Sequence, residues 1–433
     1  MWTGDYRIKP LLSMTWARFS RSKEYVAGVF LLVMTLSHLV LVPGLLPFLR
    51  SGYPNFAIFY AAGSMVRHGQ SMSLYNLSAQ YQVQKQFAPN VRIRQAALPY
   101  NHPPFEALLF WPFTFLGYWQ AYLFWTALNL AMVMASLVVL RKQFAEIGNL
   151  PTTFVVLAAT GFFPLFGAII QGQDCILLLF LYVLAAVTFK KEKDAVTGAI
   201  LGLGLFRFQL VLPLVLILAV RRWRLLLGFV PVAGLLVLVS LAMLGWRGAV
   251  DYVRLVLTLE KTGAGGSIVA VGMPNLRGMI AGLPGVEAGS TLAMALILAC
   301  SIAAILITVS QIRPSHDSVL FSFNLATIAA ILVSYHALTY DLTLLLPAVL
   351  LLFSAPWSQT RGTKMEIQAD IVLLVLIFLI PRFELLGTSS SHLVWFLLLQ
   401  GWLYWKLGKS HTPTGHLGRS STEREKMIPK AGR

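Results

Sequence analysis

Apolar runs about as long as a bilayer is thick recur along this chain, divided by short charged turns. Tyr25–Leu49 and Trp119–Leu140 are two of them. A helix needs about 20 apolar residues to cross a hydrocarbon core, and a chain that repeats such runs can cover them only with lipid or with one another. Hydrophobic residues make up 57% of the chain and charged residues only 12%, so no soluble domain is evident. The expectation is an all-α polytopic membrane protein with about twelve crossings. Residues 1–410 read as one membrane-embedded domain, and 411–433 as a basic, disordered cytoplasmic tail.

Charge placement orients it. Arg7, Lys9, Arg18, Arg21 and Lys23 precede the first run, which puts the N-terminus in the cytoplasm. The segment lacks a small-residue cleavage site, so it reads as retained rather than as a signal peptide. Arg141-Lys142, Lys190–Asp194, Arg221–Arg224, Arg313, Arg361–Lys364 and the tail from Lys406 form the inside set. The Gly52–Pro103 loop, Gln171–Asp174, Arg207–Gln209, Trp246–Ser290, Ser334–Asp341 and Pro381–Ser391 fall outside. Both termini are then cytoplasmic, and the location is a cell (plasma or inner) membrane. The net charge of +17 reports this topology and contact with anionic lipid, not nucleic acid. Cys175 and Cys300 lie in apolar segments and give neither a disulfide framework nor a metal spacing.

The first outside loop is the richest stretch. It spells a short helix at Phe56–Arg67, with Asn55 placed to cap it and Gly69 to end it. A second helix, Ser78–Phe87, is stopped by Pro89. Pro103-Pro104 open an apolar stretch in which Pro112 and Gly117 set off a short leading helix from the span. Further on, Ala195–Phe206 and Phe208–Val220 are too short to cross separately. Arg207 and Gln209 therefore sit inside the protein, where broken helices are tolerated if they line a cavity. Past Trp246 come an amphipathic piece at Ala249–Leu259, a Gly263–Gly266 turn and a short helix after Asn275. No internal repeat is found.

Acidic residues are few. Glu106, Asp174 and Asp341 each stand at the start of an apolar helix on the outer side. Each is either a functional group at membrane depth or a helix-dipole partner. His102 and His336 are the outward histidines with polar neighbours. Arg207 is a phosphate binder or a snorkelling anchor. Aromatic residues such as Tyr60 and Tyr75 stack on a sugar or form an interfacial belt. No DxD, HExxH, Walker loop or dinucleotide glycine fingerprint occurs, which argues against a metal-dependent nucleotide-sugar site or an ATPase.

Read in order, NFAIFYAAGSMVRHG, YNHPPFEALLFWPF, QGQD, LFRFQLVLPL, MPNLRG and YHALTYDLTLLLP resemble glycosyltransferase family 87 over roughly residues 50–350. The resemblance implies a GT-C-type integral membrane enzyme similar to polyprenol-phosphate-mannose-dependent α-mannosyltransferases. It implies a polyprenyl-phosphate-sugar donor, a glycan or glycolipid acceptor, inversion at the anomeric carbon, and no metal or other cofactor. The family's catalytic aspartate falls at Asn55, and an amide cannot act as a general base. Asp174 in QGQD is the substitute this reading favours, with Asp341 and His336 assisting. Asn55, Tyr60, Tyr75, Asn101, His102, Glu106, Gln171, Gln173, Arg207 and Gln209 are the expected substrate-binding set. Two other readings stay open: a transporter or flippase, suggested by the broken helices, and a non-catalytic lipid-sugar binder of the same fold.

Overall fold

A computed structural model describes residues 9–94, 96–262, 270–287, 289–312, 319–354, 372 and 375–382. It is 83% helical and contains no strand among the described residues. The Gly263–Gly266 turn, Arg313, the Arg361–Lys364 turn, residues 383–391 of the Pro381–Ser391 stretch and the tail from Lys406 lie outside the described residues.

The chain opens with α1 (Lys9–Arg50), whose Tyr25–Arg50 part is long and apolar enough to span a membrane. α2 (Phe56–Arg67), α3 (Leu77–Phe87) and α4 (Pro89–Arg94) build the loop after it. α3 starts where the Asn76 side chain accepts from the Ala79 N–H at 3.1 Å. Asn55 does not cap α2 in the same way. Its side chain makes no capping bond, and it has helical φ/ψ itself, a geometry unlike the extended one of a capping residue. Gly69 does close the helix, at φ +70°. α5 (Glu106–Phe110) and a 3-10 turn at Trp111–Phe115 lead into α6 (Tyr118–Gln143), as the prolines require.

After the short α7 (Ala145–Gly148), α8 (Thr152–Gly161) and α9 (Phe163–Gln171) form a pair bent by 61°. α10 (Cys175–Lys190) follows. α11 (Asp194–Leu203) and the run from Leu205 through α12 (Phe208–Arg221) form a second pair, bent by 65°. This is the break anticipated around Arg207. α13 (Leu226–Thr262) is interrupted at Gly245 (φ +64°), where the amphipathic piece begins. α14 (Leu276–Ala281) is capped by the Asn275 side chain, which accepts from the Gly278 N–H at 2.9 Å. α15 (Thr291–Gln311), α16 (Val319–Val333) and α17 (Leu346–Ser354) complete the elements that carry the core.

Four described helices are long and apolar enough to cross a bilayer, or six if each bent pair is one span. Their outer faces are apolar and bare: Leu238 is 65% and Leu298 62% exposed. Burying such surface in lipid is the favourable outcome. The inner faces enclose two apolar cores. One is built largely from α6, α8, α10, α12, α16 and α17. The other gathers α2, α5 and the start of α6 under aromatic rings, with Phe59 stacked on Phe110 at 4.6 Å. α11 and α13 approach so closely that a Cβ at Gly228 would stand 1.7 Å from the Ala195 carbonyl oxygen. Small residues at such a crossing let membrane helices pack backbone to backbone.

Candidate active site

The site forms where the first-loop core meets two helix breaks. The turn between α9 and α10, Gln171–Asp174, is held from several sides. The Gln171 Oε1 accepts from the Asn55 N–H at 3.0 Å. The Trp125 indole N–H donates to the Gly172 carbonyl at 2.9 Å, and the Tyr122 hydroxyl to the Ile170 carbonyl at 2.8 Å. Gly172 sits at φ +62°, and a Cβ there would meet the Phe56 Cβ at 2.8 Å. Only glycine meets both demands.

This turn delivers Asp174 to Arg207, which the α11–α12 break brings from the opposite side. The guanidinium donates to Asp174 Oδ1 from Nε (2.8 Å) and Nη2 (2.5 Å), and from Nη2 to Gln173 Oε1 at 2.6 Å. Its Nη1 lies 3.4 Å from Asp341 Oδ1, and its charge lies over the Tyr340 ring at 5.4 Å. Asp341 Oδ2 also accepts from the Leu338 N–H at 2.8 Å, so this carboxylate both caps a turn and orients a cation. On the far side of Asp174 stands His102. Its Nδ1 is 2.8 Å from Glu106 Oε2 and 3.8 Å from Asp174 Oδ2. The ligand atoms of His102, Glu106 and Asp174 all lie within 4.8 Å of one another, so this trio is the described group that could hold a metal ion.

Asp174 and Asp341 are fully buried, Glu106 is 1% exposed and Arg207 2%. Asp174 and Asp341 thus share one buried guanidinium, with the Glu106 carboxyl close beside Asp174. Three ionised carboxylates against one cation cannot coexist in a low dielectric, so the cluster retains a proton. Glu106 is its place: burial, and then the Asp174 charge beside it, push its carboxyl well above the usual range. Burial and the Arg207 charge hold the His102 imidazole down to about 3. Burial, with Arg207 and Arg277, holds His336 to about 4. Both histidines are neutral at ordinary pH.

A cavity of about 160 Å³ lies against this cluster. Of the residues expected from sequence, Asn55, Asn101, His102, Gln173, Arg207, Gln209 and His336 line it. Asp174, Glu106 and Asp341 stand behind that wall. Asp174 meets that wall at Arg207 and His102. Gln171 acts one step back, through Asn55. Tyr75 donates its hydroxyl to the His102 carbonyl at 2.8 Å, which fixes the loop that carries the histidine. Tyr60 is spent on the Leu116 carbonyl at 2.8 Å and lies away from the cavity wall. Tyr252, Tyr335 and Tyr340 also line the cavity; sequence reasoning marked Tyr335 and Tyr340 only as neighbours of His336 and passed over Tyr252. It also passed over Asn275, whose side-chain amide donates to the Ser334 carbonyl at 2.8 Å. Asn275, Tyr335 and Tyr340 fall in the MPNLRG and YHALTYD stretches, so their signal was present. Tyr252, on a long helix far along the chain, had none.

Bare apolar helices around a polar cavity, with a paired buried arginine and neutral histidines at its wall, define an integral membrane protein with a chemically equipped pocket. The family model of glycosyltransferase family 87 matches residues 100–335, more than half of the 433 residues, and the chain belongs to that family. It is accordingly a membrane glycosyltransferase by family. No curated relative and no solved structure matches it significantly.

Proposed function

We propose that this protein transfers a hexose, mannose foremost, from a polyprenyl-phosphate donor to a lipid-linked or cell-envelope glycan. Transfer takes place at the outer face of the membrane, with inversion. On this proposal the fold is of GT-C type with about twelve spans and both termini cytoplasmic.

The observation that carries the reading is the buried Arg207 on the cavity wall, fixed by Asp174 and Asp341. A guanidinium pre-set by two carboxylates does not reorganise when an anion arrives. It can hold the phosphate of the donor and the charge that develops on it as the glycosidic bond breaks. The cavity is smaller than the ~300–1,000 Å³ of typical small-molecule sites. That suits one sugar ring, with the prenyl tail left among the lipids. Asn55, Asn101 and Gln209 offer hydroxyl partners around such a ring. The sequence's base candidate, Asp174, serves on this geometry from behind the wall.

The two bent helix pairs favour a second reading, a carrier that flips a lipid-linked sugar, since broken helices line transport sites as well. The test uses purified protein in nanodiscs with radiolabelled mannosyl-phosphoryl-polyprenol and a bacterial lipid extract. Label appearing in a new, larger glycolipid supports the transferase. Label that remains on the donor for every polyprenyl-phosphate sugar tried, while donor crosses the bilayer of proteoliposomes, supports the carrier.

A further inference from the structure

Position 55 presents an amide to the cavity, and the buried carboxylate nearest the chemistry, Asp174, has one oxygen committed to Arg207. Inverting transfer still needs a proton acceptor at the acceptor hydroxyl. His102 has the geometry for it. It lines the cavity, yet its Nδ1 is turned away toward Glu106 at 2.8 Å. Its other nitrogen, Nε2, makes no hydrogen bond among the described residues and lies across the ring from the carboxyl. Rings hold the imidazole in place: Phe59 lies edge-on at 5.0 Å and Tyr100 is stacked at 5.6 Å. Tyr75 pins its backbone. Behind it, Glu106 Oε1 and Asp174 Oδ2 are buried without a hydrogen-bond partner. Such oxygens are costly in an apolar interior unless something joins them.

We infer that His102 is the catalytic base, and that Glu106 and Asp174 form a proton relay behind it that replaces the carboxylate missing at position 55. This rests on the transferase reading. The neutral imidazole donates Nδ1–H to Glu106, which leaves the Nε2 lone pair facing the cavity. The proton that Glu106 retains is shared with Asp174. In the transfer step the acceptor oxygen forms a bond to the anomeric carbon, and the bond from that carbon to the phosphate oxygen breaks. The electron pair leaves with the polyprenyl phosphate, and the acceptor's hydroxyl proton passes to His102 Nε2. The imidazolium so formed lies beside the Asp174 carboxylate, whose charge favours it. Glu106 and Asp174 are positioning residues, since they act through His102. The charged and titratable groups facing His102 are Glu106, Asp174, Arg207 and His336, with Tyr75, Tyr100 and Tyr252 around Glu106.

The experiment compares wild type, His102→Gln, Asn55→Asp and the Asn55→Asp/His102→Gln double variant. All are full-length in nanodiscs with radiolabelled mannosyl-phosphoryl-polyprenol and the same lipid extract. His102→Gln is expected to lose about 10²–10⁴-fold in rate with donor binding and melting temperature retained. Asn55→Asp is expected to restore at least tenfold of that loss. His102→Gln at the wild-type rate overturns the inference, as does a folded double variant no faster than His102→Gln. Transfer by wild type is scored separately: if it is absent, the transferase reading falls. A readout free of activity then decides the relay. Nitrogen-15 histidine spectra should show His102 as the Nδ1–H tautomer in wild type and lose that state in Glu106→Ala. A wild-type His102 in the Nε2–H tautomer overturns the relay.

Discussion

Arg207→Met removes the one cation that two buried carboxylates share, so it tests the energetics of the whole site. The guanidinium meets Asp174 Oδ1 at 2.8 and 2.5 Å and Asp341 Oδ1 at 3.4 Å. A pair of unit charges about 4 Å apart at an effective dielectric near 20 interacts by about 4 kcal/mol. Removing one partner of a buried pair typically costs about 3–5 kcal/mol, because the other charge is stranded. With two stranded partners, Arg207→Met belongs at the upper end of that range. The ion pairs tie Arg207 to the fold, so folding should suffer as well as donor binding. The assay is thermal unfolding of purified protein in detergent, with the Asp174→Asn/Arg207→Met double variant alongside. The single variant should melt well below wild type, and the double variant should regain much of the loss, since one stranded charge is gone. A single variant that melts with wild type, or a double variant that melts lower still, would refute the reasoning.

Acid should weaken the fold. His102 and His336 are held near 3 and 4, below the ~6.5 of an unfolded histidine. The unfolded chain therefore binds the extra protons. Stability from these groups is complete above about pH 6.5 and is lost as pH falls toward about 4 for His336 and about 3 for His102, at up to about 1.4 kcal/mol per pH unit per histidine. Glu106, raised by burial and by Asp174, works the other way, losing stability as pH climbs above the usual glutamate range. Melting curves of His102→Asn and His336→Asn should be flatter between pH 6.5 and 4.5 than wild type; equal slopes refute the assignment. Gly172→Ala forces a Cβ to 2.8 Å from that of Phe56 at a left-handed φ, so transfer should fall more than tenfold; wild-type transfer would show that the turn is not under this constraint. For orientation, Met72→Cys and Trp223→Cys, both 62% exposed, should react with an impermeant maleimide from the outside and the inside respectively, in a Cys300→Ser background. The reverse pattern inverts the topology.

The apolar runs and prolines made most elements legible: α2, the α5–α6 approach and the break at Arg207 fall where periodicity and Pro/Gly signals put them. Asn55 was misjudged as a cap because residue type favours capping, whereas its backbone is tied to Gln171 and its side chain is left to the cavity. The polar residues of the site were legible one by one, since charge at membrane depth is scarce. Their partnerships were not. Asp174 with Arg207 spans 33 residues and Arg207 with Asp341 crosses α12 to α16, distances that only packing closes. The crossings also resist counting from sequence, because α10, α12 and α16 are apolar but short.

The most direct measurement of the account is the transfer rate of Asp174→Asn in nanodiscs, with donor binding measured on the same preparation. An asparagine is close in shape but cannot share the cluster's proton as a carboxylate does or balance the Arg207 charge. The account predicts a loss of about 10²–10⁴-fold in transfer with the donor still bound. Transfer at the wild-type rate would contradict it, and would move the chemistry away from the buried cluster altogether.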